Sequence, residues 1–170
     1  MKIKHDFVTN SSSSSFIVAF DKKPSLRYLK DNIMFVEKAK CVWEDCKYQK
    51  GEKLTPKNEK LIEQIIAEVS SGHIGYNQDL REDDFLKQHG ITLPAGQRLW
   101  QDKDLWHQYN AERERKSNLV AFKTAMEFIK KNMGKRIYFF QYGDGDGKFY
   151  SHMEHGGTFE NFEGIQISHH

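Results

Sequence analysis

The sequence predicts an α+β fold in which a mixed or antiparallel sheet of about four strands is packed by helices from the middle of the chain. Three observations carry this. Phe16–Phe20 near one end and Arg136–Tyr142 near the other are short runs of aromatic and β-branched residues, apolar on both faces, as strands in the middle of a sheet are. Between them, Leu61, Ile62, Ile65, Ile66 and Val69, and later Leu119, Phe122, Met126, Ile129 and Met133, recur at helical spacing. Third, Gly143-Asp144-Gly145-Asp146-Gly147 has the chemistry of a tight hairpin turn. The sheet is expected to contain residues 16–20, 136–142, 148–153 and 164–168, and the 170 residues fit one α+β domain covering 1–170.

Taken in order, Ile3, His5 and Phe7 alternate with Lys2, Lys4 and Asp6, the pattern of an exposed strand over Lys2–Val8. After Phe20, Pro24 stops the sheet, and Ser25 caps a helix through Leu26, Leu29 and Ile33 towards Cys46, with a break expected near Asn32. Thr55-Pro56 reads as the start of the clearest helix, with threonine as cap and proline in the first turn, and Ser71-Gly72 as its stop. A short helix over Glu82–Gln88 buries Phe85 and Leu86. Its acidic lead Glu82-Asp83-Asp84 suits the positive end of a helix better than a metal site. From Asp102 or Asp104 helical spacing returns and runs to Gly134. Ser117 and Asn118 are good caps and poor helix interiors, so two helices meeting there are favoured over one. The stripe Leu119, Phe122, Met126, Ile129 and Met133 reads as core. Phe149–Met153 returns antiparallel to Arg136–Tyr142, and Ile165 and Ile167 alternate in a last, half-buried strand.

Five consecutive serines, Ser11, Ser12, Ser13, Ser14 and Ser15, follow Asn10 and lead into the first apolar strand. Serine hydrogen-bonds its own backbone and suits a polar connection. Two functional alternatives stand beside that reading. Hydroxyls and backbone N–H groups of Asn10–Ser15 could contact an anion, although phosphate-cradling loops normally use glycine. A serine could equally accept a phosphoryl or other group. The run from Lys2 to Phe16 resembles the opening of many small bacterial and phage proteins that share a DFVTNSSSSSF-like start. The resemblance covers about the first tenth of the chain and has no established activity attached to it; it implies a bacterial or phage origin and a role for the serines.

Charged residues make up 29% of the chain but the net charge is only +2, which argues against a dedicated DNA binder with one strongly basic field. Two cysteines, Cys41 and Cys46, are too few for a disulfide scaffold and lack CxxC spacing, so reduced thiols and a cytoplasmic location are expected. No apolar run approaches the roughly 20 residues that span a bilayer, and the N-terminus lacks a signal-peptide pattern, so no membrane role is expected.

Histidines gather late in the chain. On a strand, His152 and Glu154 would share a face, with His155 opposite. His152, Glu154 and His155 are therefore candidates for acid–base catalysis, and His152, Glu154 and His169 for a metal; a polar sheet end and a tail containing His169 and His170 are the plainer alternatives. Asp144 and Asp146 do not begin a calcium loop, because Lys148 and His155 stand where ligands are required. The basic run Arg113, Arg115, Lys116, Lys123, Lys130, Lys131, Lys135 and Arg136 could meet RNA or an acidic partner, yet the alternating signs of Glu112–Lys116 favour a solvated face.

The expectation is a small regulatory or interaction protein with an unidentified protein partner, whose polyserine loop contacts an anion or is modified. The alternatives are a metal- or His-dependent enzyme on a phosphate-containing substrate and, less favoured, an RNA-binding protein. No motif identifies a cofactor.

Overall fold

A computed structural model describes residues 13–72, 80–143, 152–153 and 157–169. The elements are β1 (Ser13–Phe20), α1 (Leu26–Asn32), α2 (Val36–Tyr48), β2 (Glu52–Lys53), α3 (Glu59–Ser71), α4 (Glu82–Gln88), a 3-10 turn (Leu99–Gln101), α5 (Lys103–Asn132), β3 (Arg136–Gly143) and β4 (Glu163–Ser168). The strands form one antiparallel sheet in the order β2-β3-β1-β4. The two most apolar strands are therefore neighbours, with Phe16 opposite Phe140 and Phe20 opposite Arg136.

Strand alternation sends the side chains of β1 into two cores. Phe16, Val18 and Phe20 pack with Leu29 of α1, Ala39, Val42 and Cys46 of α2, and Tyr138, Phe140 and Tyr142 of β3. Ile17 and Ala19 face the opposite way, onto Leu61, Ile65 and Val69 of α3, Ala121, Ala125 and Phe128 of α5, and Ile165 and Ile167 of β4. The sheet is thus the middle layer between two pairs of helices. A third cluster, Leu80, Phe85, Leu99 and Tyr109, packs α4 and the 3-10 turn on the first half of α5.

The structure corrects several expectations. Ser13–Ser15 form no loop. They extend β1, paired with Gly143–Gln141 on one side and, from Ser14 on, with β4 on the other. A central strand can absorb them because its ladder satisfies the backbone, and hydroxyls tolerate the sheet end. Asn10, Ser11 and Ser12 and the expected strand over Lys2–Val8 lie outside the described residues. The fourth strand of the sheet is the two-residue β2. Residues 148–151 of the expected return strand also lie outside the described residues, and His152 and Met153 take helical conformation. α3 starts at Glu59 rather than at Pro56, because Asn58 Oδ1 accepts from Leu61 N–H (3.3 Å) and makes the cap. The break near Asn32 falls as expected, separating α1 from α2, with Ser25 capping α1 through Tyr28 N–H.

α5 is one helix of thirty residues rather than two. Asp102 caps its start through Asp104 and Leu105 N–H, and Gly134, at φ 86°, ends it in the left-handed region that glycine takes without a steric penalty. Ser117 and Asn118 remain helical because both halves of the helix are held by packing, which outweighs a propensity deficit of a few tenths of a kcal/mol per residue. Of the expected buried stripe, Ile129 alone is in the core. Leu119, Phe122, Met126 and Met133 are exposed, and Ala121, Ala125, Phe128 and Ile129 are buried. Alanine lets α3 approach the helix closely, which a face of leucine, phenylalanine and methionine would prevent.

Candidate functional site

A cleft of about 610 Å³ opens where the C-terminal end of α2, the turn after β1 and the β2 edge of the sheet converge. Each wall follows from a local rule. β1 ends at Phe20, and Pro24 in the following turn precedes the Ser25 cap of α1, which leaves Lys23 at the rim. Trp43 and Lys47 are four apart on α2 and so share a face; Lys47 Nζ sits 5.5 Å from the Trp43 ring centroid. Gln49, Lys50, Gly51 and Glu52 lead from α2 into β2. Arg136 and Tyr138 are alternate residues of β3, so both side chains point to the α2 side of the sheet.

The floor is aromatic and tightly packed. Tyr138 is 3% exposed and lies edge-on to Phe20 (5.4 Å between centroids) and stacked with Phe140 (6.2 Å). Its ring covers Gly51 so closely that a Cβ on that glycine would fall inside it. Burial, with Cys46 second, holds the Tyr138 hydroxyl above the usual phenol range, so it is a neutral hydroxyl near neutral pH. Burial likewise pushes the Cys46 thiol up to about 12, with Asp45 adding to the shift. Cys46 is therefore a thiol rather than a reactive thiolate. Asp45, one residue away, accepts from Tyr142 Oη at 2.7 Å; burial raises its carboxyl above the ordinary range although that hydrogen bond opposes the rise.

The lining carries four cations, Lys23, Lys47, Lys50 and Arg136, against one carboxylate, Glu52. Some of this charge is committed. Lys47 pairs with Glu44 at 2.6 Å, Arg136 Nη1 donates to Gly51 O at 3.2 Å, and Glu52 accepts from Asn58 Nδ2 at 2.7 Å. The carbonyl end of α2 adds roughly half a negative charge, which part of the lysine charge offsets. Lys23 and Lys50 are exposed. Cations beside the half-buried Trp43 ring suit an anion attached to a planar or apolar group. A second cavity of about 300 Å³, over Phe16, Phe159 and Phe162, has Glu160 as the one ionisable group among its lining residues.

The residues singled out in the sequence are distributed otherwise. Ser13, Ser14 and Ser15 are in the ladder, and Ser14 and Ser15 are buried. Ser15 Oγ and His169 Nε2 are 2.8 Å apart, His169 N–H donates to Ser13 O, and the His169 ring lies beside the end of α3 at Gly72. A hydroxyl and an imidazole at that distance have the geometry of a nucleophile and its base, but Ser15 is only 9% exposed, inside a paired strand. The contact ties the end of β4 to the central strand. His152 is exposed beside the buried Met153, and Glu154, His155 and His170 lie outside the described residues. Among the described residues, no group of three His, Cys, Asp or Glu side chains could hold a metal ion, and no helix is long and apolar enough to cross a membrane. Both cysteines are free.

Sequence reasoning missed the cleft. Trp43 and Lys47 at four-residue spacing were its one local sign; Lys23 and Arg136 join them only through sheet pairing. No protein-family model, curated protein or solved structure matches the chain.

Proposed function

We propose that this chain is a small binding protein that takes a phosphate-bearing ligand into the cleft beside β2 and acts by binding rather than turnover. The observation that carries the reading is the convergence of Lys23, Lys50 and Arg136, from three separated segments, around one cleft that Trp43 and Tyr138 also line. We assign the anion contact to these cations rather than to Ser13–Ser15, whose backbone groups are paired in the ladder; Asn10, Ser11 and Ser12 lie outside the described residues. Binding is favoured over catalysis by the lining itself: burial holds its thiol protonated and its tyrosine neutral, so neither is an activated nucleophile. A regulatory role in a bacterial or phage setting, and a cytoplasmic location, belong to the same reading.

Isothermal titration with pyrophosphate and with ATP tests it. Binding of either should weaken roughly tenfold or more in the Lys23→Glu/Lys50→Glu double variant, since each charge-assisted contact contributes about 1.5–3 kcal/mol. ATP should bind more tightly than pyrophosphate, because Trp43 gives its base a ring to contact. No binding of either anion by the wild-type chain, or equal binding by the double variant, would overturn the proposal.

A further inference from the structure

The solvent-facing side of α5 carries an aligned apolar set that the two cores leave uncovered. Leu119, Phe122, Met126 and Met133 are 49%, 48%, 43% and 41% exposed. At helical spacing Leu119, Phe122 and Met126 lie within about 60° of one another around the axis, and Met133, the C-cap residue, follows them. They form one stripe beside the buried Ala121–Ala125–Phe128 face rather than scattered contacts with solvent. Single exposed apolar residues need no explanation, but an aligned set of four large ones does.

Charge determines what could cover this stripe. Arg115 continues it towards the N-terminus, and Lys123 and Lys130 border it on the solvent side; all three are exposed, and none forms an ion pair among the described residues. Glu127 lies further round the helix. An antiparallel second copy would set the Lys123–Lys130 border against the same border of its partner, so like charges would meet across the seam. A helix with an apolar stripe bordered by carboxylates would instead meet those lysines with opposite charge.

We propose that α5 docks an acidic amphipathic helix of a protein partner, which lies along Leu119–Met133 with its carboxylates on Arg115, Lys123 and Lys130. The apolar stripe provides the contact, and the basic border selects the partner and its direction.

The test uses the full chain and a fluorescently labelled designed helix of about 20 residues, the length at which an isolated helix is well formed. The probe carries leucines at i, i+3, i+4 and i+7 spacing with glutamates on both borders. A matched peptide with lysine borders and a single-stranded RNA serve as competitors. The glutamate peptide is expected to bind at micromolar concentration, to weaken at higher salt, and to be displaced by neither competitor. Phe122→Asp/Met126→Asp should abolish binding. Lys123→Glu/Lys130→Glu should reverse the preference to the lysine peptide, which a loss of folding would not do. Equal binding of the two peptides, no binding of the glutamate peptide, displacement by RNA, or concentration-dependent dimerisation lost in Phe122→Asp/Met126→Asp would each overturn the proposal.

Discussion

Gly51→Ala tests the packing on which the cleft depends. Gly51 does not occupy the left-handed region, so its backbone accommodates alanine and any cost must come from space. The added Cβ would fall on the Cε2, Cζ and Oη atoms of Tyr138. Carbon atoms in contact sit about 3.5–4 Å apart, so the ring must move by more than an ångström. It has little freedom to do so, with Phe20 edge-on at 5.4 Å and Phe140 stacked at 6.2 Å. Forced repacking of this kind costs about 1–3 kcal/mol, and a ring held by two neighbours belongs at the upper end. Urea unfolding followed by tryptophan fluorescence should show a lower midpoint with an unchanged slope. The same substitution in a Tyr138→Leu background should cost little, because leucine lacks the atoms that the Cβ meets. A double-mutant cycle therefore isolates the clash, with an expected coupling of about 1–3 kcal/mol. A Gly51→Ala chain within about 0.5 kcal/mol of wild type, or an equal cost in both backgrounds, would refute the reasoning.

Three further predictions concern other parts of the fold. Phe20→Ala removes a fully buried ring that meets Tyr28, Tyr138, Phe140 and Phe162, and should cost about 3–5 kcal/mol in chemical denaturation. Tyr109→Phe deletes the buried hydrogen bond to Leu80 O (2.8 Å) and should cost about 1–3 kcal/mol, with hydrogen exchange rising first in α4 and the start of α5. His89 first and then Lys116 hold the Glu112 carboxyl down at about 2, below its ordinary 4.5, so the stability it contributes is complete above pH 4.5 and lost as pH falls towards 2. The gap in urea midpoint between wild type and Glu112→Gln should accordingly narrow as pH falls from 4.5 to 2, and a gap that stays constant would contradict the assignment.

The strand-length apolar runs, the Ser25 cap and the break after Asn32 were read correctly, whereas the Thr55-Pro56 start of α3 and the cap expected at Ser117-Asn118 were not. Phe16–Phe20 and Arg136–Tyr142 are apolar on both faces, and residues of that kind have few stable places other than the middle of a sheet covered on both sides. The Ser25 cap and the break after Asn32 are likewise decided within a few residues. The buried face of α5 was misread because side-chain size was taken as the sign of burial. Close approach of α3 selects alanines, and no single-helix pattern contains the distance to a neighbour.

The serines and the cleft show the same division from two sides. Five serines in sequence read as a loop because serine's local preferences are those of turns, but strands on both sides of Ser14 and Ser15 supply a complete ladder, and tertiary pairing outweighs those preferences. The cleft needs Lys23, Trp43, Lys50 and Arg136 at one place, and they come from positions up to 113 residues apart. Apolar runs of strand length and apolar residues at helical spacing are properties of the chain and determined the fold class. The convergence of charge depends on which strand lies beside which, and only the folded sheet decided that.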